Sequence, residues 1–167
     1  MYVLDLSPGP APTNAGPAAI DSATVVANPT PQFRWPVRVY YEDTDTGGIV
    51  YYAKFLMFFE RCRTEWLRAL GIEQQRLRAA EGLQFVVASA AIDYRQPARL
   101  DDLLTIAARI AELARSYIVF EQEAWRGDEL LATARVKVAC LNAATMAPAR
   151  LPALLVNKIK TADGPST

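Results

Sequence analysis

The stretch Glu42-Asp43-Thr44-Asp45-Thr46-Gly47-Gly48 sets two carboxylates two residues apart, just ahead of a glycine pair. A carboxylate on such a loop can deprotonate a water or attack an electrophilic carbonyl itself. The glycines would let a substrate approach the backbone. Asp and Gly also populate turns for conformational reasons alone, so spacing leaves a capping role open beside catalysis, and Asp43 open beside Asp45. Glu60 and Glu65 are further carboxylates, but they stand among Arg61, Arg63 and Arg68 and read as ion-paired residues on a polar helix face. The chain of 167 residues contains no histidine. That excludes Ser-His-Asp and Cys-His mechanisms, a histidine general base and histidine-based metal sites. Chemistry is left to carboxylates, Tyr, Lys, Arg, Ser, Thr or backbone amides. Cys62 and Cys140 each sit inside a hydrophobic pattern and read as buried, reduced thiols, which fits a reducing compartment.

The elements that must position these groups follow from composition and period. Hydrophobic residues make up 51% and charged residues 22% of a chain long enough for one domain. Lys plus Arg and Asp plus Glu both number 18, so nothing overall points to nucleic acid. No segment approaches the ~20 apolar residues of a membrane span. No Lys or Arg precedes Arg34, so a signal peptide's basic region is missing and a cytoplasmic location is expected. Residues 1–32, rich in Pro and Ala, read as a disordered tail with a short strand around Ala23 to Ala27. The folded domain is expected over 33–160 and a flexible C-terminus over 161–167.

Phe33 to Tyr41 reads as a strand, which Pro36 confines to an edge. Ala53 to Leu70 is the clearest helix, with Phe55, Phe58, Phe59, Cys62, Trp66 and Leu70 forming an apolar stripe. Glu60, Arg61, Arg63, Thr64, Glu65 and Arg68 fall on the other side, with Arg61 and Glu65 as an i,i+4 pair. Gly71 suits the position after the helix end. A short helix is expected at Gln74 to Glu81. Strands follow at Gln84 to Arg95, Leu104 to Ile110, Tyr117 to Arg126 and Leu130 to Leu141, with a Gly127-Asp128 hairpin between the last two. Ala149 to Ile159 could close the chain with a helix. One helix followed by consecutive strands is an α+β order with an antiparallel sheet. The helix is too apolar to stand exposed, so the economical solution curves the sheet around it. The sheet's edges then invite a second subunit.

The run from Tyr40 to Tyr52, YYEDTDTGGIVYY, resembles the signature of the 4-hydroxybenzoyl-CoA thioesterase-like family. The following FFERCRTEWL, Phe58 to Leu67, brings it closer to the Tol–Pal-associated acyl-CoA thioesterases within that family. The likeness continues through Tyr94, Pro97-Ala98 and Asp101-Asp102 and spans roughly Phe33 to Ile159. It implies the hotdog fold, a five-stranded antiparallel sheet wrapped around one long central helix. It further implies a homodimer or homotetramer with active sites at subunit interfaces, an acyl-CoA substrate, and neither cofactor nor metal.

The resemblance assigns the carboxylate to Asp45, as nucleophile or general base. It gives the backbone N–H of Tyr52, at the start of the central helix, the task of polarising the carbonyl. Gly48 and Gly47 allow close approach, Val50 joins them along the substrate, and Arg115-Ser116 falls where relatives bind the nucleotide. Arg95 and Arg99 are other phosphate candidates. The physics agrees, because the first N–H groups of a helix lack intrahelical partners and its dipole favours negative charge there. No Ser, Thr, Asp or Asn stands directly at the expected helix start to occupy them. Tyr52 replaces a histidine common in the Tol–Pal branch, and Lys54 and Phe55 replace Asn and Tyr. A backbone role survives those changes, and Lys54 reads as a solvated surface residue. Trp35, Trp66 and Trp125 read as core or interface. The competing function is a non-catalytic hotdog oligomer that binds acyl carrier protein or a cell-envelope (Tol–Pal) partner. A hotdog dehydratase would need a histidine-plus-acid pair that this chain cannot build.

Overall fold

Two hydrophobic periods divide the chain into helical and extended segments. The computed structural model, which describes residues 24–25 and 33–162, bends the extended ones into an antiparallel sheet around the longest helix. The strands are β1 (Thr24–Val25), β2 (Phe33–Arg38), β3 (Leu83–Tyr94), β4 (Leu103–Leu113), β5 (Tyr117–Arg126) and β6 (Glu129–Asn142). The helices are α1 (Lys54–Ala69), α2 (Gln74–Glu81) and α3 (Ala153–Ala162). The sheet runs β4-β5-β6-β3, and both β2 and β1 pair with β4 along its other side. The five expected strands are therefore present, extended by two residues of the tail. The rest of 1–32 and 163–167 lie outside the described residues.

Curvature comes from register shifts at Val87/Ser89, Ile110/Glu112 and Ala124/Trp125, since each bulge bends its strand. Pro36 sits on β2, which among the described residues pairs on one side only. Gly127, at φ +57°, takes the tight position of the β5–β6 hairpin. The first strand stops at Arg38 rather than Tyr41 because Tyr41–Asp43 forms a 3-10 turn, with Asp43 N–H donating to Tyr40 O at 3.0 Å. The last helix starts at Ala153 rather than Ala149, since Ala149 N–H still pairs with Cys140 O at 2.9 Å. It then runs to Ala162, two residues into the segment expected to be flexible.

Inside the wrap, Phe55, Phe58, Phe59, Cys62 and Leu67 of α1 are buried, and Trp66 packs edge-on against Phe120 with centroids 5.4 Å apart. Two polar-face assignments change. Arg63, expected on the solvent side, is only 9% exposed. Its Nη1 donates to Gln122 Oε1 at 2.6 Å, and Gln122 Nε2 donates to Phe59 O at 3.0 Å. A helix enclosed on most of its circumference cannot keep a full polar face in water, so this arginine finds a partner on the sheet. Glu65 pairs with Arg68 rather than Arg61, whose guanidinium sits 5.9 Å from the Phe58 ring centroid.

Removing the fully buried Phe58 ring with Phe58→Ala should lower unfolding free energy by about 3–5 kcal/mol in urea titration. Burial pushes the Cys62 thiol up to about 12, outweighing the opposing charge of Arg63. It is thus a neutral thiol throughout the neutral range. Cys62 should resist iodoacetamide at pH 8 in the folded protein and react at an ordinary cysteine rate once unfolded, as peptide mass mapping would show.

Candidate active site

The turn-rich residues between β2 and α1 fold into a closed loop whose hydrogen bonds fix where Asp45 stands. Asp45 N–H donates to Ile49 O at 3.0 Å, and Gly48 N–H donates back to Asp45 O at 3.0 Å. Thr44 and Val50 bridge as an isolated antiparallel pair. Asp45 is exposed, and its Oδ1 accepts the Gly47 N–H at 2.8 Å. Gly48, at φ +73°, makes the turn that a side chain would strain. At Gly47 the constraint is different, because a Cβ there would lie 3.0 Å from Asp45 Oδ1. One glycine thus serves the backbone and the other clears space for the carboxylate.

The loop delivers the chain to the start of α1. Val50 N–H donates to Ala98 O at 2.8 Å, and Tyr51 N–H donates to Asp43 O at 2.9 Å. Ala53 precedes α1 and supplies no side-chain cap. Among the described residues the N–H groups of Tyr52 and Ala53 meet no acceptor. Two free donors at the positive end of a sixteen-residue helix form a place where developing negative charge is stabilised. The Tyr51 phenol is held above its ordinary value, first by the neighbouring Tyr52 hydroxyl and also by the charge of Asp45.

Three aromatic rings gather here. Tyr51 and Tyr52 lie 4.6 Å apart, and Tyr52 and Tyr94 lie 6.4 Å apart edge-on. The Tyr94 hydroxyl donates to Tyr52 O at 2.9 Å, which braces the Tyr52 peptide from β3. Tyr94 bears this brace only because the sheet folds over, and no local signal announces it.

Asp43 and Asp45 separate cleanly. Asp43 is 1% exposed, while Asp45 faces solvent. Asp43 Oδ2 accepts the Tyr40 N–H at 2.9 Å, and its Oδ1 lies 3.4 Å from Lys54 Nζ. The Oδ1 contact is an ion pair only, with no hydrogen-bond donor among the described residues. Lys54 is therefore engaged rather than solvated, contrary to its reading as a surface lysine.

The residues expected along the substrate lie in different parts of the chain's fold. Val50 is 4% exposed and belongs to the core, so its side chain anchors the loop. Arg115 and Ser116 follow β4, whereas Asp101 and Asp102, bonded to Val39, precede it. The eleven residues of β4 span about 36 Å. Within one chain, Arg115-Ser116 therefore sits at the opposite end of the sheet from Asp45, against the segment before α3 through Leu151 N–H to Arg115 O. Arg95 and Arg99 lie on the segment that receives Val50, at the correct end. Their side chains make no hydrogen bond or ion pair among the described residues. Glu60 accepts from Thr64 at 2.6 Å farther along α1, beside a hollow lined by Arg63, Trp66, Phe85 and Phe120 that does not reach the loop. Among the described residues no group of three His, Cys, Asp or Glu side chains could hold a metal, and no helix is long and apolar enough to cross a membrane.

The chain matches the family model described as thioesterase superfamily over residues 47–133. It is 50% identical over 120 residues to the acyl-CoA thioesterase YbgC of Haemophilus influenzae, covering 72% of this chain and 88% of that one. It is 46% identical over 132 residues to the acyl-CoA thioester hydrolase YbgC of Escherichia coli O6:H1, covering 78% and 98%. Among solved structures it resembles a probable thioesterase from Bartonella henselae, with a TM-score of 0.70 and 41% identity over 72% of this chain and 99% of that one.

The two glycines should respond differently to alanine. Gly48→Ala should lower unfolding free energy by about 1–2 kcal/mol. Gly47→Ala should cost less stability but shift the Asp45 carboxylate resonance in carbon-13 NMR, because the carboxylate must leave the new methyl group.

Proposed function

This chain belongs to the thioesterase superfamily, and on that premise we propose that it hydrolyses the thioester bond of an acyl-CoA to a free acid and CoA. The observation that carries the reading is an exposed carboxylate, Asp45, on a loop closed directly onto the uncapped start of α1. The substrate carbonyl oxygen points at the free Tyr52 N–H, where the helix dipole favours the charge that develops as the carbonyl carbon is attacked. Asp45 either takes a proton from the attacking water or attacks the carbonyl carbon itself, forming an anhydride that water then opens. In both courses the C–S bond breaks and CoA leaves as its thiol; water supplies the acid's new oxygen directly, or in the anhydride course either that oxygen or the one that restores the Asp45 carboxylate. Tyr52 in place of a histidine is compatible with this chemistry because the N–H, not the side chain, faces the oxyanion.

CoA phosphates need cations or backbone donors. Arg95 and Arg99 supply cations at the Asp45 end, while Arg115-Ser116 could serve that site only from a second copy of the chain. β3 offers the place for such a copy, since it pairs only with β6 among the described residues and exposes Val87 through Ala91. A homodimer, or a homotetramer built from it, follows from that edge. The same exposed edge, and elsewhere on the surface Leu56, Met57, Tyr51 and Tyr52, support the competing reading of a non-catalytic oligomer that binds acyl carrier protein or a cell-envelope partner. A cytoplasmic location fits that reading, since CoA thioesters and unpaired thiols such as Cys62 and Cys140 belong to a reducing compartment.

Steady-state assay on short, long and aromatic acyl-CoAs separates the readings. The wild type should turn over at least one class, and Asp45→Asn should lose about 10²- to 10⁴-fold in kcat. No turnover on any chain length, or equal rates for the variant, would favour the binding protein.

A further inference from the structure

Lys54 is the first residue of α1, and a cation there opposes the helix dipole. Its side chain nevertheless turns back to the loop, 22% exposed, and faces the buried Asp43 carboxylate at 3.4 Å. Asp43 is the residue through which the loop is tied together. Its N–H and Oδ2 both engage Tyr40, and its backbone carbonyl receives Tyr51 N–H at 2.9 Å. Only Oδ1 lacks a hydrogen bond, and Lys54 is the cation that compensates it. A buried carboxylate without a cation is strongly unfavourable, so the pair is a constraint and not an ornament. It closes the chain across residues 44–53, and those are the residues that carry Asp45, the two glycines and the Tyr52 N–H. Lys54 N–H adds a second tie by donating to Tyr51 O at 2.8 Å.

We infer that Lys54 is a positioning residue: its ion pair with Asp43 clamps the Asp45 loop to the first turn of α1 and so sets the alignment of carboxylate and Tyr52 N–H on one substrate carbonyl. This rests on the reading of Asp45 above. The pair touches no substrate. It acts through geometry, and small misplacements of reacting groups are expensive in rate. Because the clamp acts on alignment rather than on holding CoA, its loss falls on kcat and not on KM.

The test uses the full chain and whichever acyl-CoA is turned over fastest. Lys54→Met should lower kcat at least about five-fold with KM changed less than about three-fold, at a temperature where circular dichroism shows it folded. Lys54→Arg, which keeps the charge, should recover most of that loss. Leu155→Ala, a buried position on α3 away from the loop, should lower Tm while leaving kcat unchanged, so instability alone is not the cause. If Lys54→Met does not fold, the double variant Asp43→Asn/Lys54→Met, which leaves no unpaired charge, takes its place against the same thresholds. A smaller loss in kcat, an arginine variant as slow as the methionine one, or a rise in KM with kcat intact would overturn the clamp. The last result would assign Lys54 to ligand binding instead. Asp45→Asn run alongside keeps the two ideas apart. A dead Asp45→Asn with a fully active Lys54→Met sinks only the clamp, whereas a fully active Asp45→Asn sinks the catalytic reading beneath it.

Discussion

The sheet has to close around a sixteen-residue helix that carries four buried apolar side chains, Phe55, Phe58, Phe59 and Leu67, and the buried Cys62 on its inner flank. Most of what is distinctive in this protein follows from that enclosure. The strands must bulge to curve. Arg63, almost fully buried, pairs with Gln122. One face of α1 stays exposed, at Leu56, Met57 and Glu60 among others, and the N-terminal end is the chemically useful part, since its amide protons are unshared. The loop between β2 and α1 cannot wander, because it must enter the wrap through one opening, past Ala98 and Tyr94.

At that opening, opposite demands meet. The helix start attracts negative charge, and two aspartates stand close to it. The fold separates them by burial. Asp43 is neutralised by Lys54 and spent on structure, while Asp45 keeps a single backbone hydrogen bond from Gly47 and a face toward solvent. A carboxylate left with free lone pairs can still accept a proton or attack carbon. The tyrosines around it supply an aromatic rim rather than a titrating histidine, and the phenols of Tyr51 and Tyr94 are held above their ordinary values, Tyr51 first by its hydrogen bond with Tyr52 and Tyr94 first by burial.

Much of the fold was legible because strand and helix periods are local. The α1 stripe, the α2 helix, the strand from Tyr117 to Arg126 and the Gly127-Asp128 hairpin could all be read from neighbours along the chain. What could not be read depended on contacts between distant segments. Arg63 looked solvent-facing because a helical wheel does not show a sheet closing on its second side. Glu65 had two arginines within helical reach, and packing of Arg61 over Phe58 left it Arg68. Lys54 looked free because its partner lies before the loop, and the burial of Val50 was not visible because its backbone partner, Ala98, is 48 positions away in the chain. The candidate site residues, Asp45 with Gly47, Gly48 and Tyr52, were singled out together only through family resemblance. Loop chemistry by itself would have left Asp43 in contention until burial separated the two.

The proposed hydrolysis depends on a single arrangement, a thioester carbonyl held between the Asp45 carboxylate and the Tyr52 amide. The most direct test is a crystal structure with an acyl-CoA analogue in which a methylene replaces the thioester sulfur, so the ketone binds but cannot be cleaved. The ketone oxygen should lie within about 2.7–3.2 Å of Tyr52 N, with Asp45 facing the carbonyl carbon. A ketone seated elsewhere, such as the hollow between α1 and Phe85, with Asp45 left in solvent, would contradict it.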